Sequence, residues 1–478
     1  STPGGEKKTV KWLSDHGWQL ESANPGPLSR SDFLDSFDAF LDHFQSIEDA
    51  RFKVNSFSIT EDGKTATGSL KIFVVGRDLE GRREWMRGLA DFQAHPLSGE
   101  NWQIAALTVT EISSQISGEE LFDEVGGPLG FTASNPPFLD LPKFGYLYHG
   151  ASVADLNNDG FLDLFSPGFD RNYLYLNRGD GTFQEAATGA GLKVLPEVGL
   201  AALFLDYDKD GDTDLFLATL GKQMLFQNRL VPDGEFHFLD VSDQAGISVP
   251  SYGMSAVAAD VNRDGWPDIY LTSYNEWDDI KPEFVISSNE LDEFKSEPWV
   301  GSFNGTPNLL FINQGNGRFS EAGAEWGVDD TRWALAAAFA DLDNDGDLDL
   351  YVANDFAGGS HLYWNQLVQG EERFIEAAPE QGIMDIGYGM GVSFGDYDND
   401  GDLDLHVTNM YSIAGNRILD RLYQLESTGG SLLKKQAAGN SLYENLGNGK
   451  FRDRTAEAGP LVAGWAWGGG FIDFDNDG

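Results

Sequence analysis

Asp396-Tyr-Asp-Asn-Asp-Gly-Asp-Leu-Asp404 puts acidic side chains at positions 1, 3, 5 and 9 of a short stretch, with Gly401 at position 6. The same phrase recurs as Asp155-Leu-Asn-Asn-Asp-Gly-Phe-Leu-Asp163, Asp206-Tyr-Asp-Lys-Asp-Gly-Asp-Thr-Asp214, Asp260-Val-Asn-Arg-Asp-Gly-Trp-Pro-Asp268 and Asp341-Leu-Asp-Asn-Asp-Gly-Asp-Leu-Asp349. A sixth copy, Asp473-Phe-Asp-Asn-Asp-Gly478, stops where the sequence stops. Calcium takes six to eight oxygens and favours a glycine where its loop turns sharply. The spacing therefore predicts one ion per loop, five to six in all, with a structural role. Side chains at positions 1, 3, 5 and 9 and the carbonyl of position 7 are the expected ligands.

In the first loop these are Asp155, Asn157, Asp159, Phe161 and Asp163; in the second, Asp206, Asp208, Asp210, Asp212 and Asp214. The third offers Asp260, Asn262, Asp264, Trp266 and Asp268, and the fourth Asp341, Asp343, Asp345, Asp347 and Asp349. The fifth offers Asp396, Asp398, Asp400, Asp402 and Asp404, and the sixth Asp473, Asp475 and Asp477. Position 7 varies between Phe, Trp and Asp, as a backbone ligand permits. An EF-hand is excluded, because position 12 holds Ser166, Leu217, Leu271, Val352 and Val407 where that loop needs Glu.

Working outward, each acidic loop lies between a strand of small residues, such as Gly387-Tyr-Gly-Met-Gly-Val-Ser-Phe-Gly395, and a Leu-rich strand, such as Asp402-Leu-Asp-Leu-His-Val-Thr408. A third strand ends in a tight turn, as in Leu442-Tyr-Glu-Asn-Leu-Gly-Asn-Gly-Lys-Phe451, and a fourth completes the unit. Four antiparallel strands per repeat of roughly 50 residues read as propeller blades. The outer strand has a signature, Phe-x-Asp/Glu, five residues, Gly, apolar. It starts at Phe183, Phe238, Phe319, Phe374 and Phe451, and also at Phe122, ahead of the first loop. Residues 120–127 are therefore expected to supply the outer strand that closes the ring, which removes an exposed sheet edge. Insertions at about 275–306 and 412–439 fall between second and third strands, on the face opposite the acidic loops. A blade that ends after one strand implies that the propeller, residues 145–478, continues past this sequence.

Ahead of it, residues 1–28 read as a polar lead-in. Phe33, Leu34, Phe37, Phe40, Leu41, Phe44 and Ile47 recur at helical spacing and predict a helix over 30–48. Strands are expected at 51–60, 64–77, 82–94 and 100–112, which makes 29–115 an α+β domain and 116–144 a linker. The closing strand, Asn101-Trp-Gln-Ile-Ala-Ala-Leu-Thr-Val-Thr110, resembles that of NTF2-like domains.

The net charge of −45 argues against nucleic acid and anionic lipid as partners. Six divalent ions would cancel twelve of those charges and leave about −33, so cations account for part of the acidity. With no cysteine the chain has neither disulfides nor thiolate metal sites. No run of about 18 apolar residues is present to span a membrane.

Several short motifs are explained by local structure. Arg178-Gly-Asp180 fills the same turn as Gln314-Gly-Asn316. Gly391-Val-Ser-Phe-Gly395 lies in an inner strand that runs into an acidic loop, whereas a hydrolase elbow needs a following helix. No catalytic pattern emerges. Tyr252, Arg332, Trp333, Tyr388 and Trp465 stand at or just before the starts of inner strands. They read as packing between blades or as a ligand face around the channel mouth.

The acidic stretch Gly395–Leu405 resembles the FG-GAP/VCBS repeats of integrin α-subunit propellers. Thr408-Asn-Met-Tyr-Ser412 and Gly464-Trp-Ala-Trp-Gly-Gly-Gly-Phe-Ile-Asp-Phe-Asp-Asn-Asp-Gly478 resemble the cartilage acidic protein/ASPIC–UnbV group of secreted proteins. The resemblance covers 145–478 and implies seven blades; the six loops leave six as the alternative. It implies a mainly β, calcium-stabilised propeller that is extracellular, at the cell surface or periplasmic, with its signal peptide removed. Three functions are compatible: a binding or adhesion module for a protein or carbohydrate, a carbohydrate-active lyase or dehydratase, and an architectural subunit assembled through the N-terminal domain.

Overall fold

The computed structural model describes residues 9–13, 17–21, 38, 41–97, 102–117, 125–131, 150–168, 171–274, 305–355, 359–411, 438–447, 449–458 and 466–472. The chain divides into two compact units, Ser1–Val125 and Gly126–Gly478.

The first unit is a six-stranded antiparallel sheet in the order β1-β2-β6-β5-β4-β3. Its strands are β1 (Thr9–Leu13), β2 (Gly17–Glu21), β3 (Phe44–Ile59), β4 (Ala66–Asp78), β5 (Arg83–Pro96) and β6 (Trp102–Ser117). Ala66, Leu70, Ala90, Phe92 and Ala94 gather on one face, beside Phe44, Val74 and Met86. Two expectations are corrected. Strands β1 and β2 lie within the stretch read as a polar lead-in, and β2 joins the sheet by pairing Gln19 with Ser113. The helix over 30–48 is mostly outside the described residues, and the chain is already extended from Phe44. What is described of that helix is one turn, in which Asp42 N–H donates to the Asp38 carbonyl at 2.9 Å.

The second unit is built of four-stranded antiparallel blades, as a β-propeller requires, with the second and third joined into one eight-stranded sheet where Leu220, Gly221 and Lys222 pair with Tyr252, Ser251 and Pro250. Blade 1 is β7 (Ser152–Ala154), β8 (Asp163–Ser166), β9 (Tyr173–Asn177) and β10 (Phe183–Glu185). Blade 2 is β11 (Val198–Leu205), β12 (Asp214–Lys222), β13 (Met224–Asn228) and β14 (Phe238–Asp240). Blade 3 is β15 (Pro250–Ala259), β16 (Asp268–Ser273), β17 (Leu309–Asn313) and β18 (Phe319–Glu321). Blade 4 is β19 (Trp333–Ala340), β20 (Asp349–Asp355), β21 (His361–Asn365) and β22 (Phe374–Glu376). Blade 5 is β23 (Gly389–Gly395), β24 (Asp404–Asn409), β25 (Ser441–Asn445) and β26 (Phe451–Asp453).

The second strands are buried almost end to end, because neighbouring blades cover both their faces; β16 and β20 have no exposed residue. Each core cluster joins two successive blades. Ile269, Leu271 and Phe311 of blade 3 pack with Phe216, Ala218 and Leu225 of blade 2. Tyr270 and Leu310, on the other face of blade 3, pack with Leu350 and Val352 of blade 4. The small residues of the inner strands let blades meet closely. A Cβ on Gly391 would lie 2.9 Å from the Trp467 carbonyl, and one on Gly395 2.6 Å from the Phe471 ring.

The outer strand expected at 120–127 falls outside the described residues up to residue 124. Gly126 and Gly127 are not strand: they open a helical turn, Gly126–Leu129. The same turn follows the outer strands of blades 2, 3 and 4, at Ser242–Ala245, Gly323–Trp326 and Ala378–Gln381. Gly130 then meets the Phe183 carbonyl of blade 1, as Gly246 meets that of Phe319 and Gly382 that of Phe451.

Candidate metal centres

All five described acidic loops connect a first strand to a second, so they share one end of the blades. Their backbones are alike. Position 4 is left-handed in every loop, with φ from 56° to 61° at Asn158, Lys209, Arg263, Asn344 and Asn399. These are the only non-glycine residues with positive φ among the described residues. Gly at position 6 has φ between 90° and 97°. The position 6 N–H donates to Oδ2 of position 1, and the position 7 N–H to Oδ1 of position 5, in each loop. Tied this way, the chain turns its carboxylates inward.

Three of the loops bring carboxylates together within 4.8 Å: Asp206, Asp208 and Asp210; Asp341, Asp343 and Asp349; Asp396, Asp398 and Asp404. In the second and fourth loops Oδ1 of Asp206, Asp208 and Asp341 is buried without a hydrogen-bond partner among the described residues. Burial and like charge oppose ionisation there, and they hold Asp208 and Asp343 above the usual carboxylate range. Orphaned anionic oxygens in such a cluster are compatible with calcium, whose charge would supply what the protein leaves missing.

The first and third loops differ. With Asn at position 3 they carry fewer charges, and their side chains hydrogen-bond one another. Asn157 Nδ2 donates to Asp159 at 3.0 Å, and Asn262 Nδ2 to Asp264 at 3.1 Å. Of the sixth loop, Asp473, Asp475 and Asp477 lie outside the described residues.

Position 9 is a clamp. Asp163, Asp214, Asp268, Asp349 and Asp404 are at most 1% exposed. Each accepts the position 2 N–H on one oxygen and, on the other, the N–H of an asparagine that ends the third strand. Burial pushes Asp214 up to about 9, Asp349 to about 8 and Asp268 to about 7.

Those asparagines were not singled out from the sequence. Asn228, Asn313, Asn365 and Asn445 each extend Nδ2 to the position 2 carbonyl of the preceding blade's loop, at 2.8–3.0 Å. The same nitrogen reaches the position 8 carbonyl of its own loop. The signal was present in the recurring Asn of Leu225-Phe-Gln-Asn228, Leu310-Phe-Ile-Asn313, Leu362-Tyr-Trp-Asn365 and Leu442-Tyr-Glu-Asn445.

Position 7 side chains dock on the turn between the third and fourth strands. The Phe161 ring covers Gly179 and the Trp266 ring covers Gly315. Where that turn has no such glycine, position 7 is Asp: Asp212 accepts the Val231 N–H at 2.7 Å and Asp347 the Val368 N–H at 3.1 Å. Asp402 lies over Gly447 and accepts Asn344 Nδ2 at 2.7 Å. Position 7 thus meets that turn in every described loop, with a ring over the glycine in blades 1 and 3 and a carboxylate in blades 2, 4 and 5, although blade 5 keeps the glycine. The Arg178-Gly-Asp180 tripeptide is such a turn, with Asp180 accepting the Thr182 N–H and hydroxyl.

Of the five aromatic and basic residues expected on a ligand face, Tyr252, Trp333 and Tyr388 are linked through Tyr274 and Asp355 at the opposite end of the blades, whereas Arg332 turns to the third strand of its own blade. Trp333 pairs with Asp355, and its ring lies 5.3 Å from that of Tyr274. Tyr274 donates its hydroxyl to Asp355 Oδ2 at 2.7 Å, and its N–H to the Tyr252 carbonyl at 2.9 Å. Tyr388 is buried; burial, then the charge of Asp355, pushes its hydroxyl up to about 12. Arg332 donates to the Gly359 carbonyl at 3.3 Å and contacts His361. His361 is itself buried, 3.3 Å from Asp330 and 3.3 Å from Glu376. Trp465 lies outside the described residues. No described helix is long and apolar enough to cross a membrane.

Residues 155–217, 206–271, 299–352 and 341–407 match the FG-GAP-like repeat. The chain is 30% identical to human cartilage acidic protein 1 over 388 residues, which is 70% of this chain and 55% of that protein. It is 24% identical to the mouse protein over 387 residues, or 70% and 56% of the two chains. It therefore spans about half the length of these relatives. Among solved structures, an Agrocybe aegerita lectin that recognises non-reducing terminal N-acetylglucosamine aligns at 15% identity and a TM-score of 0.33, covering 84% of this chain and 79% of its own.

Proposed function

A chain that carries FG-GAP-like repeats and is homologous to cartilage acidic protein 1 is, we propose, an exported binding module whose propeller is stabilised by calcium. The observation that carries this reading is the convergence of Asp206, Asp208 and Asp210, of Asp341, Asp343 and Asp349, and of Asp396, Asp398 and Asp404, with buried oxygens left unpartnered in two of the three. Positions 1, 3, 5 and 9 supply the side chains and position 7 its carbonyl, in the first and third loops as in the others. The ion's role is to hold each hairpin closed against carboxylate repulsion. Extracellular calcium modules work at about 10⁻⁴ to 10⁻³ M, which suits a protein outside the cell. Ring closure by residues 120–124 belongs to the same reading. It is supported by Gly130, which meets Phe183 as the later glycines meet their neighbours.

The binding face is the end away from the loops, around Tyr252, Arg332, Trp333 and Tyr388, with Trp465 as a further member. The N-terminal unit is an assembly module in this scheme.

Thermal melting tests the calcium role. Saturating calcium is expected to raise the melting temperature by about 5 °C or more over excess EGTA. An unchanged melting curve removes the proposal. For the binding face, the calcium-loaded chain is applied to a glycan array and to an array of extracellular matrix proteins. Specific capture that falls in a Trp333→Ala variant of unchanged melting temperature supports the module; no capture on either array counts against it.

A further inference from the structure

The acidic loops are not separate units, and we propose that they load calcium cooperatively around the ring, each occupied loop organising the next. The inference rests on the calcium reading above and adds a route between sites.

The second and third loops show the route. Asp214, at position 9 of the second loop, accepts the Tyr207 N–H at 3.2 Å. The Tyr207 carbonyl in turn accepts Asn313 Nδ2 at 2.8 Å. The Asn313 N–H donates to Asp268, at position 9 of the third loop, at 2.8 Å. Three hydrogen bonds therefore run from one ligand carboxylate to the next, through a buried asparagine that is 1% exposed. An ion that fixes Asp214 fixes the position of Tyr207, and so that of Asn313 and Asp268. The same three bonds join every pair of successive described loops.

A second link runs across the surface. The left-handed turn at position 4 carries its side chain to positions 6 and 7 of the following loop. Asn158 donates to the Gly211 carbonyl at 3.5 Å and Asn344 to Asp402 at 2.7 Å. Lys209 Nζ lies 5.1 Å from the Trp266 ring centre, and a Cβ on Gly346 would be 2.9 Å from the Arg263 guanidinium. Residue type changes from loop to loop while the direction of reach does not.

A mutant cycle tests this. Terbium luminescence sensitised by Trp266 reports loading of the third loop, with Trp266→Phe giving the background from other aromatics. Asp210→Asn weakens the second loop without changing any residue of the third. It is expected to raise the half-loading concentration of the third loop about fivefold or more, a normal size for coupled sites. In a Lys209→Gly, Asn313→Ser background the same Asp210→Asn change is expected to shift that concentration less than twofold. Should Asn313→Ser fail to fold, Lys209→Gly alone serves, because Lys209 is exposed and glycine suits its backbone; a partial loss of the Asp210→Asn effect is then expected. A third loop that loads identically with and without Asp210→Asn overturns the coupling and leaves structural calcium standing. Absence of any loading at millimolar calcium or terbium removes the calcium reading, and the coupling with it.

Discussion

Position 6 of the acidic loop is where one residue's backbone decides the most. Gly401 has φ of 97°, and a Cβ there would meet nothing within 4 Å. Gly401→Ala therefore isolates backbone strain from crowding. It is expected to destabilise the chain by about 1–2 kcal/mol in urea unfolding, even in excess calcium. Position 4 shows the converse. Asn tolerates the left-handed region better than Arg, and three of the five loops use it. Arg263 instead keeps a side chain long enough to reach Gly346, so its retention is better explained by that contact than by its backbone. At the other end of blade 4, burial works against a charge on His361, but Asp330 and then Glu376 outweigh it and hold the imidazolium above its ordinary range. A folded value above the unfolded one stabilises fully below the unfolded pKa, about 6.5. The contribution is lost as pH rises through the folded value. In saturating calcium, stability should therefore fall from pH 6 to pH 8 by more in the native chain than in His361→Gln. Equal slopes in the two proteins would show that the ion pairs carry no such linkage.

Among the elements, the third strand does more than complete a blade. Its last asparagine is a buried side chain that touches two successive acidic loops. Asn365 gives Nδ2 to the carbonyls of Val261 and Leu348. Asn365→Asp keeps the shape and puts a carboxylate oxygen where those carbonyls need a donor. A loss of about 1–3 kcal/mol is expected from the abandoned buried acceptors, measured by urea unfolding in calcium; a change under about 0.5 kcal/mol would mean that water takes the place of the amide. These bonds explain what the sequence made legible. The acidic loops were readable because metal ligation fixes residue type at fixed spacing, and the blades because Phe and Gly recur at each outer strand. The asparagine stitch was harder to see, since its partners are carbonyls that any residue can provide. The start of β3 misled for a different reason. Bulges between Phe44 and Ser46 and between Ile47 and Asp49 break the two-residue alternation, so Phe44 and Ile47 fall at helical spacing within a strand. Strands β1 and β2 pair as a local hairpin of five residues each, a pattern too short to stand out beside the Gly, Pro and Ser around it, and β2 meets the rest of the sheet at Ser113, nearly a hundred residues away.

For the whole molecule the governing quantity is charge, −45 over 478 residues. Two mechanisms could hold such a chain together, general screening by salt or coordination of ions at particular loops, and they differ in length scale. Screening acts over the Debye length, about 10 Å at 0.1 M salt and about 3 Å at 1 M. It relieves repulsion between blades and across the surface. In the second, fourth and fifth loops three carboxylates come within 4.8 Å of one another, and several of their oxygens are buried. Monovalent salt has little room to act there, whereas a bound divalent ion sits among the oxygens themselves. Chelated protein in about 1 M NaCl should thus regain only a minor part of the melting temperature lost with calcium. Calcium at millimolar levels should restore it fully, and with a small remaining salt dependence, because six ions would still leave roughly −33 on the chain. Full recovery in NaCl alone would make the acidity a matter of bulk electrostatics and would take the loops out of the account of stability.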